Sequence, residues 1–309
     1  MYSPFLEQKP ASIKLLFLGG IMLISLYFFT SLSVYFLPNV NIIGNLNILS
    51  EIHNKEVLSA MKILQIISST SLFILPPLIF SFLASSKPLE YLSISGKVKI
   101  QSIFFCCLIM FAGFPLMNWL GEINKMLVLP KFIGGIESWM RSSEKDAEKL
   151  TEVFLDVNNK KDFFVNILMV AIIPALGEEF IFRGILQKLL IEATKRKHLS
   201  IIIASFVFGF FHFQFFTFLP RFLMGVLFGY LLLWSKSLWL PICCHFVNNA
   251  SAVIFSFLSN KGYLPSDIDD VGKQQNQMLI IFTSTIIATF LIYTVYRTEK
   301  KNNIKFISI

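Results

Sequence analysis

The sequence predicts an all-α polytopic membrane protein with eight transmembrane helices, and three observations predict it. Of its 309 residues, 55% are hydrophobic and only 15% are charged, against about a quarter charged in soluble domains; the mean hydropathy is +0.67. The apolar residues are gathered into eight runs, most of them long enough for a bilayer crossing of about 20 residues. Lys and Arg collect in the gaps between alternate runs, as the asymmetry of membrane topology requires.

The first run, 14–37, is too long for a removable signal peptide and lacks a small-residue cleavage site, so it reads as a retained span. The next two are 62–84 and 100–120. A long polar segment, 121–162, follows. Within it Ser143 is placed to cap a helix in which Ala147, Leu150, Phe154 and Val157 recur at helical spacing, with Glu144, Lys145, Glu148, Lys149 and Glu152 on the other faces. Such a helix lies on the membrane surface, as a lid or substrate-docking element or as a solvated connector. The remaining runs are 163–190, 199–216, 220–234, 238–258 and 278–296, of which 220–234 is the shortest.

With the N-terminus inside, Lys9 and Lys14, Lys87, Lys97 and Lys99, the Lys195-Arg196-Lys197 triplet, Lys236, and Arg297, Lys300, Lys301 and Lys305 all become cytoplasmic. The 259–277 loop, with Asp267, Asp269 and Asp270, falls on the opposite side. An even number of spans with both termini cytoplasmic fits this pattern. No internal repeat or low-complexity linker divides the chain, so 1–309 reads as one membrane domain. The net charge of +8 is accounted for by topology; no nucleic-acid motif accompanies it, and a nucleic-acid partner is not expected. The pairs Cys106-Cys107 and Cys243-Cys244 lie inside apolar runs without metal-site spacing and read as small packing residues.

Ionisable and amide side chains inside a span are costly and normally mark a site. Three runs carry them: Glu178, Glu179 and Arg183; His212; and His245 with Asn248 and Asn249. Residues i and i+4 share a helix face, so Glu179 and Arg183 can neutralise one another as a structural pair. Glu178 is turned about 100° away and is left for general acid–base chemistry. Phe208 stands one turn before His212, and His245 one turn before Asn249, with Asn248 as a neighbouring candidate. At about 1.5 Å of rise per residue, Glu178 is about 15 Å from Lys188, His212 about 22 Å from Lys197, and His245 and Asn249 about 14 and 20 Å from Lys236. The polar groups therefore share one layer near mid-membrane.

These residues resemble the motifs of the CPBP intramembrane proteases, the CAAX-protease and bacteriocin-processing group that includes the type II prenyl endopeptidases. E-E-x-x-x-R is matched by Glu178, Glu179 and Arg183; F-x-x-x-H by Phe208 and His212; H-x-x-x-N by His245 and Asn249. The resemblance covers 162–258, a catalytic core, and favours Asn249 over Asn248 by motif spacing. It implies an eight-helix bundle with an intramembrane catalytic cavity, and an endopeptidase in which Glu178 with His212 activates water while His245 with Asn249 stabilises the oxyanion. Glu179, Arg183 and Phe208 would support the site. No cofactor is expected to be obligatory, though Glu178, His212 and His245 would be the ligands if Zn²⁺ were used. The implied substrate is a protein or peptide associated with the lipid bilayer, and the implied setting is a bacterial cytoplasmic membrane.

Two readings compete. A non-catalytic membrane scaffold or immunity protein binding a partner peptide would not need the full motif set. An ion or proton transporter would more often show internal symmetry or paired broken helices, and the sequence has neither.

Overall fold

The computed structural model of the protein describes residues 4–36, 54–130, 132, 134–157, 159–265 and 270–307. Among these the chain is all-helical, with no strand. The helices that build it are α1 (Ala11–Phe36), α2 (Lys55–Ala84), α3 (Ile100–Lys125), α4 (Gly134–Leu155), α5 (Lys160–Thr194), α6 (Lys197–Phe210), α7 (Phe218–Ser235), α8 (Trp239–Asn260) and α9 (Met278–Ile307). Seven of them, all but α4 and α6, are long and apolar enough to cross a membrane. The chain is an integral, multi-pass membrane protein.

Two sequence expectations need correction. The 199–216 run does not give one long helix: it gives the 14-residue α6, which stops at Phe210. Phe213 then takes a left-handed φ of 53°, a conformation that ends helices, and a connector leads to α7. The surface helix in the polar segment does not start at Ser143; it runs from Gly134 to Leu155. Ser143 sits inside it, where its hydroxyl donates outward to the Phe213 carbonyl at 3.3 Å. The expected apolar face does turn inward at Phe154, and Val157 is buried just beyond the helix end. Asp267 and Asp269 lie outside the described residues; Asp270 pairs with Lys273 at 2.7 Å.

The basic segments meet at one end of the bundle. Lys14 of α1 bridges to Glu192 of α5 at 3.1 Å, and Lys188 donates to Ser93 at 2.9 Å. Ser237 donates to the Gly96 carbonyl at 2.8 Å, and Lys99 to the Thr298 carbonyl at 3.1 Å. The left-handed residues that close α5 and α7 are both lysines, Lys195 and Lys236, and cations there complement the negative end of the helix dipole.

Prolines shape the two helices that surround the site. Pro174 has no N–H and its ring crowds the carbonyl four residues back, which is that of Val170. The helix responds with a π-helical segment over Ile167–Ile172, and a second one, Phe180–Leu186, follows Glu179; such π segments recur at functional sites. In α2, Thr70–Ile74 is likewise π-helical ahead of Pro76 and Pro77. There α2 touches α5 backbone to backbone, because a Cβ on Gly177 would lie 2.6 Å from Phe73 Cβ.

A second close approach uses Gly225 and Gly229 on α7, a small-xxx-small pair of the kind that packs membrane helices. Their carbonyls accept from Arg183 Nη2 and Gln187 Nε2 on α5, each at 3.2 Å. Two residues one turn apart on α5 thus bond to two carbonyls one turn apart on α7.

Candidate active site

α5, α6 with its connector, and α8 bring the motif residues together. The Glu179–Arg183 pair forms as the helical spacing requires: Nη1 lies 3.0 Å from Oε1, and both side chains are buried. The Arg183 guanidinium lies 4.3 Å from the centroid of the Phe208 ring, so Phe208 supports the charge by a cation–π contact. What the sequence did not reveal is a second bond to the same carboxylate oxygen. His245 Nδ1 lies 2.9 Å from Glu179 Oε1, so Glu179 ties Arg183 on its own helix to His245 on α8.

Glu178 points elsewhere, as its turn around the helix demands. Its Oε2 lies 3.9 Å from His212 Nε2 and 3.8 Å from His245 Nε2, and it is buried without a hydrogen-bond partner among the described residues. The partners on the far side of each imidazole fix the tautomers. His212 Nδ1 faces the Phe208 carbonyl at 2.9 Å, and a carbonyl only accepts, so Nδ1 carries the proton. The Glu179 carboxylate, ion-paired with Arg183, makes the same demand of His245 Nδ1. In their neutral forms both rings therefore present an Nε2 lone pair to a carboxylate oxygen. Three acceptors converge, at separations too long for direct hydrogen bonds and well suited to an intervening water that donates to two of them.

Ring contacts hold the imidazoles in place. Phe208 meets His212 edge-on with centroids 5.0 Å apart, and Phe228 stacks on His245 at 5.3 Å. Asn249 donates through Nδ2 to the Val170 carbonyl at 3.0 Å, the carbonyl that Pro174 strips of its helical partner. Asn248 donates to Asn249 Oδ1 at 3.1 Å. The two amides are thus linked, and both border the cavity.

That cavity, about 500 Å³, is lined by Glu178, His212, Arg221, His245, Asn248 and Asn249. Glu122, Lys125, Thr151 and Lys273 border it as well. A neighbouring apolar cleft of about 330 Å³ between α3, α7 and α9 shares Met117, Met224 and Asn248 with it. Zinc accepts imidazole nitrogen and carboxylate oxygen, but its tetrahedral ligands at 2.0–2.2 Å stand roughly 3.4 Å apart, closer than the 3.8 and 3.9 Å found here. Among the described residues no group of three or more His, Cys, Asp or Glu is disposed to hold a metal ion.

Residues 160–251 match the family model described as type II CAAX prenyl endopeptidase Rce1-like. This segment is similar to an Rce1-like domain. It contains every motif residue described above. The chain is also similar to the membrane-embedded CAAX protease MroQ of Staphylococcus aureus (strain USA300), with 30% identity over 138 residues. That alignment covers 43% of this chain and 53% of the relative, so the chain spans about half the length of the curated protein it matches. No solved structure matches.

Two residues around the cavity escaped the sequence reading. Arg221 was visible as a lone cation in the shortest apolar run, a signal of the same kind as His212. Glu144 had no such signal, being one of several acids on an amphipathic helix. It is buried, accepting from the Phe216 amide at 2.6 Å and the Thr217 hydroxyl at 2.7 Å.

Proposed function

We propose that this protein is an intramembrane endopeptidase that hydrolyses a peptide bond in a membrane-associated protein or peptide. The observation that carries the reading is the convergence of Glu178 Oε2, His212 Nε2 and His245 Nε2, all acceptors, on one buried point. The similarity to the Rce1-like family model and to a staphylococcal CAAX protease supports the same class of chemistry.

A water at that point donates its protons to Glu178 and His212 and keeps an oxygen lone pair for the substrate carbonyl carbon. As the C–O bond forms, Glu178 takes the proton. His245 and Asn249 face the developing oxyanion. His245 can donate through Nε2 only after that nitrogen has taken up a proton from solvent, which leaves Glu178 and His212 as the two acceptors of the water, while Glu179 accepts from Nδ1 and holds the ring in place. The C–N bond then breaks and Glu178 returns its proton to the leaving amine. The apolar cleft beside the cavity suits an apolar flank of the substrate. No metal enters these steps, so chelation should leave turnover unchanged.

We also propose that α6, with the 211–217 connector, completes an eighth crossing. Its support is the antiparallel packing of α6 on α7, in which His198 reaches Tyr230 at 2.9 Å near one end and Gly209 faces Phe218 at the other. Both described ends then lie with the basic segments, on the cytoplasmic side by the charge rule. Accessibility labelling of a cysteine placed near Arg196 and another near Lys273 tests this: the two should be labelled from opposite sides. For the activity, membranes carrying the wild type and Glu178→Ala should be compared by terminal proteomics. New peptide termini confined to the wild type are expected; their absence would favour the scaffold reading.

A further inference from the structure

Arg221 belongs to none of the three motifs, yet it lines the same cavity as Glu178, His212, His245 and Asn249. It stands in the first turn of α7, where the positive end of the helix dipole disfavours a cation. Helix stability therefore does not explain its presence, and neither does an ion pair: no carboxylate among the described residues lies within salt-bridge distance of it. Its partners are neutral acceptors, the Thr217 carbonyl at 3.1 Å, the Thr217 hydroxyl and the Gln214 side-chain oxygen. These three bonds use three of the five guanidinium N–H groups. They fix the plane of the group, and through the Thr217 hydroxyl they link it to the Glu144 carboxylate at one remove. The guanidinium charge is felt first by Glu144 and then by Glu178 and Glu148, and it also reaches His212 across the cavity.

The other donors of the cavity are partly committed. Asn249 gives an N–H to Val170, and His245 gives Nδ1–H to Glu179. Arg221 is a donor-only group, always charged, and sits at a helix N-terminus, which itself favours anions.

We propose that Arg221 is the anion-binding residue of this cavity, holding a carboxyl-derived anionic oxygen of the substrate. The inference rests on the endopeptidase reading. The oxygen has two possible sources, the tetrahedral intermediate at the cleaved bond or a carboxylate at the substrate's own C-terminus, and the two separate in kinetics.

The experiment uses the full-length protein in liposomes with a pooled library of internally quenched peptides, each made both as a free acid and as a C-terminal amide. Wild type, Arg221→Gln and Arg221→Lys are compared. If Arg221 holds the oxyanion, Arg221→Gln loses about 10²–10³ in kcat with KM little changed, for acid and amide alike. If it holds a terminal carboxylate, KM rises, and amidation costs the wild type a factor that it does not cost Arg221→Gln. Either result supports the proposal, and Arg221→Lys should fall between, keeping the charge without the planar fork. Unchanged kcat and KM in Arg221→Gln overturn it. Should Arg221→Gln not fold, Arg221→Lys at parity with the wild type overturns it equally. Absence of cleavage by the wild type overturns the endopeptidase reading itself, a distinguishable outcome.

Discussion

Asn249 donates its side-chain amide to the backbone carbonyl of Val170 across 3.0 Å, and that carbonyl is available because Pro174, four residues on, has no N–H to offer it. One amide thereby serves two ends: it closes a broken helix and it borders the cavity. Asn249→Ala should accordingly lose about 10²–10³ in turnover if it removes an oxyanion donor, and about 1–3 kcal/mol of stability from the orphaned carbonyl. Pro174→Ala restores an N–H to α5. The double variant should recover stability without recovering turnover, as a double-mutant cycle in detergent would measure. Recovery of both would mean that Asn249 acts only as a helix patch. Asn248→Ala, which removes a bond to Asn249 and none to α5, should be milder in both respects.

Glu178 and Glu179 are adjacent in sequence and opposite in circumstance. Glu178→Gln keeps the shape but loses the proton acceptor, so turnover should vanish while the protein stays folded. Glu179→Ala strands Arg183, which is fully buried, and leaves His245 Nδ1 without its acceptor. Breaking a buried pair from one side costs about 3–5 kcal/mol, so the expected result is a lower yield or melting temperature in addition to lost activity. Equal melting temperatures for the two variants, with cleavage retained in Glu178→Gln, would reverse the roles.

The pairing of Glu179 with Arg183 and the separate facing of Glu178 were legible because both follow from helical period alone, and they survive the π segment that begins at Phe180. Counting residues to the basic ends put the polar groups at similar heights, and Glu178, His212 and His245 do converge. The contacts between helices were not. Nothing in the spacing of 162–258 says that Glu179 reaches His245 66 residues away, since period fixes directions on one helix but not which helix lies opposite. The short α6 escaped because apolarity continues through Phe211 and Phe213 after the helix has ended at Phe210. Hydropathy measures what the solvent is, not where the backbone turns.

Gly177 fixes the distance between α2 and α5 one residue before Glu178. A methyl group there would meet Phe73 Cβ at 2.6 Å and the Phe73 carbonyl at 3.1 Å, partners that belong to the backbone or hang directly from it and cannot swing aside. Gly177→Ala should therefore force the helices apart, with a cost of about 1–3 kcal/mol for overpacking. A displacement of the catalytic carboxylate by even 1 Å can lower the rate by about 10²-fold. Thermal unfolding and cleavage should both fall. Phe73→Ala leaves a Cβ in place and should not rescue the variant, whereas rescue by Phe73→Gly would locate the clash at that atom.

The last prediction concerns Glu144, whose two carboxylate oxygens hold the Phe216 amide and the Thr217 hydroxyl. The connector it grips begins just after α6 and carries His212. Asn124 of α3 grips the same segment, donating to the Phe215 carbonyl at 3.1 Å and accepting from the Leu219 amide at 2.6 Å. With Glu144→Ala the connector keeps the Asn124 clamp, the Ser143 bond to the Phe213 carbonyl and the Arg221 bonds to Gln214 and Thr217, but loses its one charged acceptor. Hydrogen bonds to a charged acceptor contribute about 1.5–3 kcal/mol each, so hydrogen exchange at 213–219 should accelerate while the rest of the bundle stays protected. His212 should then spend less time facing Glu178, lowering kcat by up to about 10²-fold. Glu144→Gln, which keeps one acceptor oxygen, should lie between. If exchange accelerates and kcat holds, α4 is a connector that happens to dock there; if both change together, the amphipathic helix is part of what positions His212.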